Sequence, residues 1–241
     1  MCVIYLAFET HPEHPLILLA NRDEFYDRPS QAAHYWEDEP DIFAGRDLVG
    51  GGTWLGVSRT GRFAAVTNYR DPAAPLGTRS RGELVSNFLR SHQTAAEYLA
   101  SVSSISGDFS GFNLLAGRIS SDFREICYFS NRGGVVTTLT PGVYGLSNHL
   151  LDTPWTKVSK GKSRLAGLLE GETVSVESCF QILADEVLAE DSDLPSTGVS
   201  YAIEKAISAI FIKTPGYGTR CSTVLTFDNS FTWDLKERVF V

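Results

Sequence analysis

An α+β layered fold of antiparallel sheets covered by helices is predicted from three observations. Apolar, β-leaning runs stand at both ends of the chain, helical periodicity falls in two middle blocks, and strands and helices do not alternate as βαβ units do. No repeat at a fixed period and no low-complexity linker interrupts residues 1–241, so one domain is expected. A chain of 241 residues can bury a sizeable core without metals or disulfides.

The elements follow in order. Residues 2–8 are an apolar run, and His11-Pro12-Glu13-His14-Pro15 separates it from Leu16-Ile17-Leu18-Leu19-Ala20, which reads as a buried hairpin. Residues 53–58 and 62–67 pair around Thr60-Gly61. Ser80 is placed to cap a helix over 81–102, with Leu84, Phe88, Ala95 and Leu99 on one face. Strands are expected at 112–119, 124–130 and 135–139, the last two joined by a tight turn at Asn131-Arg132-Gly133-Gly134. Residues 155–170 and 178–190 read as helices. So does 202–212, where Ile203, Ala206, Ile207 and Ile210 recur at i, i+3, i+4 and i+7. Asp191–Ser200 is a loop, and strands 219–227 and 231–240 flank Asp228-Asn229-Ser230.

Composition narrows the function. The formal charge of −8 argues against a nucleic-acid or anionic-membrane surface, since phosphate backbones are bound mainly by Lys and Arg. No stretch approaches the roughly 18 apolar residues of a membrane span. The N-terminus has no basic segment and meets Glu9 too early for a secretory signal. Cys2, Cys127, Cys179 and Cys221 contain no Cys-x-x-Cys pair, so free thiols in a cytoplasmic protein are expected. No Gly-x-Ser-x-Gly elbow, His-Glu-x-x-His helix or Walker loop is present. Val49-Gly50-Gly51-Gly52-Thr53 precedes a strand rather than a helix and reads as a turn. His11-x-x-His14 is too small a set for a metal site, and no metal is expected.

Cys2 is the most informative position. Its small side chain permits removal of Met1, which would put a thiol and a free α-amine on one residue. An α-amine titrates near about 7.7–8.0, so it can serve as a base. A buried cysteine opening a strand is the ordinary alternative. Asn21-Arg22-Asp23-Glu24 follows the second strand, where a hairpin would bring it beside Cys2. A guanidinium there favours the thiolate, and a carboxylate can hold the amine. A solvated strand end accounts for the same tetrad. Asn68 and Asn148 end strand-like runs and could donate to an oxyanion, or simply turn the chain. Arg220, heading an apolar strand, needs a partner that an ordinary salt bridge would supply.

Met1-Cys2-Val3-Ile4, Ala20-Asn21-Arg22-Asp23-Glu24-Phe25, Arg28-Pro29, Gly51-Gly52-Thr53-Trp54-Leu55-Gly56 and Thr67-Asn68-Tyr69-Arg70 together resemble the NRDE family, also called the transport and Golgi organisation 2 family. Gly145-Leu146-Ser147-Asn148, Asp152-Thr153-Pro154-Trp155 and Gly218-Thr219-Arg220-Cys221-Ser222-Thr223 carry the likeness to about residue 225. More distantly the family resembles N-terminal nucleophile hydrolases of the bile-salt hydrolase and penicillin V acylase kind. That likeness implies a four-layer αββα sandwich and a cysteine amidohydrolase acting on a small or lipid-linked amide, with no cofactor required. It makes Cys2 the nucleophile, with Arg22 and Asp23 its electrostatic partners. Asn68 and Asn148 supply oxyanion and substrate contacts, and Arg220 buttresses the site. Those hydrolases space the Arg and Asp three apart, whereas Arg22 and Asp23 are adjacent, so Asp23 and Glu24 are exchangeable for the carboxylate role.

The family also implies a non-enzymatic alternative, a protein that binds and moves haem, or binds acyl-coenzyme A, in the same cleft. His149 and Cys2 are then candidate axial ligands. His11, His14, His34 and His92 read as turn or surface residues. Lys157, Lys160, Lys162 and Arg164 could meet haem propionates or coenzyme A phosphates, but read first as a solvated helix face.

Overall fold

The computed structural model describes residues 2–241. The expected removal of Met1 therefore falls on a residue outside those described. The chain begins with β1 (Cys2–Phe8), β2 (Leu16–Phe25), β3 (Ser30–Tyr35), β4 (Ile42–Asp47), β5 (Leu55–Ser58) and β6 (Arg62–Asn68). Helices α1 (Gly82–Arg90) and α2 (Ala95–Ser104) follow, then β7 (Phe112–Ile119), β8 (Arg124–Ser130), β9 (Thr137–Thr138) and β10 (Gly142–Leu146). Next come α3 (Thr156–Leu169), α4 (Val176–Leu183) and α5 (Tyr201–Ala206). The strands β11 (Lys213–Thr214), β12 (Tyr217–Phe227) and β13 (Trp233–Val239) close the chain.

The strands form two antiparallel sheets. One runs β10-β1-β2-β12-β11, with β13 also paired to β12, and the other is the meander β3 to β9. Side-chain alternation then builds three cores. Ile4, Leu6, Phe8, Leu16 and Leu18 point between the sheets, against Leu55, Val57, Phe63, Leu115 and Ile126. The other face of the first sheet, Val3, Tyr5, Ala7, Ile17 and Leu19, packs on Leu165, Cys179, Phe180 and Leu183 of α3 and α4. Ala64, Val66, Leu114 and Phe129 on the far face of the second sheet meet Leu84, Val85, Phe88 and Leu99 of α1 and α2. Helix, sheet, sheet, helix is the expected four-layer α+β sandwich. Burial on both faces explains why β1 and β2 read as unbroken apolar runs rather than alternating ones.

Several element boundaries differ from expectation, each for a visible reason. The helix expected over 81–102 is two helices. Arg62 Nε and Nη2 donate to the carbonyls of Phe88 (3.2 Å) and Gln93 (2.7 Å), satisfying the chain at the break. Thr94 then opens α2 with a capping box, its N–H reaching Glu97 Oε2 at 2.9 Å while its hydroxyl accepts from Glu97 N at 3.2 Å. The residue that precedes α1 is Arg81 rather than Ser80, and no side chain caps that end.

The helices expected over 178–190 and 202–212 stop at Leu183 and Ala206. Asn21 Nδ2, from β2, donates to the carbonyls of Leu183 (2.8 Å) and Ile210 (2.9 Å), and Lys157 Nζ takes Ile207 O at 3.1 Å. These buried donors replace the helical bonds that would have continued each element. The strand expected over 135–139 shrinks to Thr137–Thr138, and β3, β4, β10 and β11 are strands the sequence does not announce. All four cysteines are free thiols, with Cys2 half-buried and the others buried. Among the described residues no helix is long and apolar enough to cross a membrane.

Candidate active site

The hairpin of β1 and β2 places Cys2 directly opposite Arg22, and β12 on the other side of β2 places Thr219 opposite Asp23. β2 runs on to Phe25, so the charged tetrad continues the strand and its side chains alternate between faces. Arg22 lies toward the second sheet, its guanidinium 4.1 Å above the Trp54 ring and its Nη1 3.3 Å from Ser30 Oγ. Asp23 faces the opposite way. Its Oδ1 accepts from Thr219 Oγ1 at 2.7 Å, and its backbone carbonyl accepts from the Tyr217 hydroxyl at 3.3 Å.

Cys2, Arg22, Asp23, Glu24 and Asn68 line one cleft of about 320 Å³ that opens at the ends of β1, β2 and β6. Arg28, Asp47, Trp54, Arg79, Ser80 and Arg81 complete much of its wall. The other expected residues stand behind this wall. Asn148 is fully buried and does not line the cleft; its Nδ2 donates to the Asn68 carbonyl at 3.0 Å, fixing the end of β6. Beside it Ser147 Oγ donates to the Cys2 carbonyl at 3.0 Å, which clips β1 to the same point. Arg220 sits at a β-bulge of β12 and donates to the carbonyls of Phe25 (2.8 Å), Arg28 (2.7 Å) and Val241 (3.3 Å). It holds the turn that carries Arg28. Glu24 Oε1 accepts from the Phe25 N–H at 2.9 Å and its Oε2 is 3.9 Å from Arg28 Nε. Asp23 is buried whereas Glu24 is partly solvated, so burial separates the two carboxylates that the sequence left exchangeable.

His149 lies outside the cleft wall, its ring 4.9 Å from Tyr69 and 5.9 Å from Trp155, with Nδ1 2.8 Å from Thr153 Oγ1. The basic run of α3 is not one solvated face. Lys157 is 3% exposed, while Lys160, Lys162 and Arg164 pair at the surface with Asp185 and Asp152. Lys157 stands near enough to Asp23 for their charges to act on each other, a role different from the ligand contact the sequence suggests for it. Lying in the first turn of α3, it carries no signal in the sequence that separates it from its exposed neighbours.

Burial pushes the Cys2 thiol above its ordinary range; the Asp23 charge adds to this, while the Asp23 N–H and Arg22 oppose it. Burial also raises the Asp23 carboxyl, against the pull of Lys157 and the Thr219 hydroxyl. Lys157 is itself brought down to about 8 by burial, with Asp23 resisting. A standing thiolate is therefore scarce at neutral pH, and attack by Cys2 requires a base. These signs predict opposite shifts in the pH profile of Cys2 alkylation by iodoacetamide. Asp23→Asn removes a negative charge and moves the midpoint down; Arg22→Gln removes a positive one and moves it up. Shifts of the same sign in both variants would contradict this electrostatic arrangement.

The two sheets and flanking helices form the four-layer α+β sandwich expected from the sequence. The N-acylethanolamine-hydrolyzing acid amidase orthologue of Caenorhabditis elegans superposes with a TM-score of 0.53, covering 93% of this chain and 92% of that one at 11% identity, a likeness of fold. Residues 1–241 match the Transport and Golgi organisation 2 family profile. The chain is 40% identical to the Bos taurus Transport and Golgi organization protein 2 homolog over 245 residues, spanning 95% of this chain and 89% of the bovine protein. It is 38% identical to the Homo sapiens homologue over the same shares. The chain belongs to the Transport and Golgi organisation 2 family.

Proposed function

We propose that the chain is a cysteine amidohydrolase in which Cys2, freed by removal of Met1, is the nucleophile. The observation that carries this reading is the half-buried Cys2 lining a roomy cleft between Arg22, Asp23 and Asn68, at the edge of an N-terminal nucleophile fold. The worm structural neighbour is, by its name, an amide hydrolase. In this reading the Cys2 α-amine takes the thiol proton as sulfur attacks the amide carbon. A C–S bond forms, and Asn68 donates to the oxyanion from a position set by Asn148. Collapse breaks the C–N bond, and the departing amine receives the proton from the ammonium. Water then attacks the thioester, releasing the acid and returning the thiol.

Intact-mass measurement of untagged protein, followed by incubation with acyl amides, tests the sequence of steps. The expected result is loss of the Met1 mass and a transient acyl adduct that maps to Cys2. Retention of Met1 in protein that still turns over amide would remove the self-activated nucleophile.

A further inference from the structure

The cleft is lined by four arginines and three carboxylates, Asp23, Glu24 and Asp47. The whole chain carries 29 acidic residues against 21 basic ones, yet four guanidiniums converge here, from Arg22, Arg28, Arg79 and Arg81. Two of them are paired. Arg28 Nε is 2.9 Å from Asp47 Oδ2, and Arg79 Nη2 is 2.6 Å from Glu83 Oε1. Arg22 is engaged with the Trp54 face and Ser30. Among the described residues Arg81 makes one hydrogen bond, from Nη1 to the Gly111 carbonyl at 3.2 Å, and no ion pair. A guanidinium has five N–H donors, so this one bond leaves most of the capacity of a residue that lines the cleft unengaged by the described protein groups. Burial disfavours its cation, and the charge Cys2 bears when ionised, together with the Glu24 carboxylate, opposes that penalty.

Arg81 is also rigidly placed. It immediately precedes α1, and Thr53 N donates to the Gly82 carbonyl at 3.2 Å. Gly52 packs so closely on Gly82 that a Cβ there would lie 2.4 Å from the Gly82 carbonyl carbon. The end of α1 is thus fixed against the 51–53 turn.

We propose that Arg81 is the anchor for an anionic group on the ligand, so that the cleft accepts an amide bearing a carboxylate or phosphate. A planar guanidinium with free parallel donors matches either oxyanion bidentately. This deepens the amidohydrolase reading and rests on it for the word amide; the anion subsite itself does not. The bound anion would hold the scissile carbonyl over Cys2, and Arg81 takes no part in bond making.

Cys2 alkylation reads the subsite without any turnover. Iodoacetate and iodoacetamide carry the same leaving group and differ in one charge. In the wild-type protein the anionic reagent is expected to gain on the neutral one relative to a free thiol. In Arg81→Gln the iodoacetate-to-iodoacetamide rate ratio is expected to fall about tenfold, the scale of one charge-assisted hydrogen bond, with Arg81→Lys intermediate. Acetate and inorganic phosphate should each slow iodoacetamide at Cys2 in proportion to how well they fit, and the better protector identifies the anion. A ratio unchanged in Arg81→Gln, or protection that does not depend on Arg81, would overturn the proposal. If the ratio responds to Arg81 while no amide is ever turned over, the hydrolase reading fails and the anion subsite stands.

Discussion

Replacing Cys2 with alanine is expected to abolish amide turnover, a loss of at least about 10³-fold, because removal of a nucleophile leaves only binding and oxyanion contacts to act. The fold should be unaffected. Cys2 is the first described residue of β1, half-buried at the strand end, and it contributes little to any of the three cores. A thermal midpoint within a few degrees of wild type together with lost turnover is the expected pair of results. Cys2→Ser should also fail, since an alcohol at this position is a far poorer nucleophile than a thiol at the pKa the α-amine can serve. The same variant separates hydrolysis from carriage. A protein that holds haem or acyl-coenzyme A without chemistry would keep its binding in Cys2→Ala, including any Soret band formed on haem titration. Turnover that persists in Cys2→Ala would remove Cys2 from the chemistry altogether.

The legible part of the fold was the part written in continuous apolar runs. β1, β2, β6, β7, β8 and β12 bury both faces, so their sequences announce strands without any neighbour being known. β3 is largely exposed and carries Gln31 and His34, so nothing in its composition separates it from a loop. The helix ends were illegible for a different reason. What stops α4 is an asparagine 162 residues away in sequence, and what fills the gap after α1 is Arg62 from β6. Such partners exist only once the sheets have assembled. Within the cleft the same division holds. Cys2, Arg22, Asp23 and Asn68 terminate or extend recognisable strands and could be singled out from the sequence. Arg81, just before α1, and Lys157, in the first turn of α3, are ordinary basic residues given their surroundings by tertiary packing alone.

Gly161→Ala is expected to destabilise the protein by about 3 kcal/mol, contrary to what helix propensity predicts. In an exposed helix the change from glycine to alanine stabilises by up to about 1 kcal/mol, through the reduced freedom of the unfolded chain and a better helix former. At position 161 of α3 the added Cβ would lie 2.0 Å from Cζ of Tyr5. Tyr5 cannot give way easily. Its ring is 0% exposed on β1, and its hydroxyl donates to the Lys157 carbonyl at 2.7 Å, one turn back along the same helix. Accommodating the methyl therefore pushes α3 off the sheet or breaks that bond, and overpacking of this kind costs about 1–3 kcal/mol and occasionally more. In a chain of this size about 3 kcal/mol lowers the melting temperature by roughly 6–12 °C. Gly167, on the same helix, has nothing within 4 Å of its added Cβ, so Gly167→Ala should melt at or slightly above wild type. The pair isolates the contact from propensity, and a Gly161→Ala protein as stable as Gly167→Ala would contradict the close approach. The approach also bears on the cleft, because α3 is the element that carries Lys157 behind Asp23. Moving the helix outward weakens the attraction between their charges, so in Gly161→Ala the Asp23 carboxyl is expected to lose part of the support it has against burial, and turnover should fall along with stability.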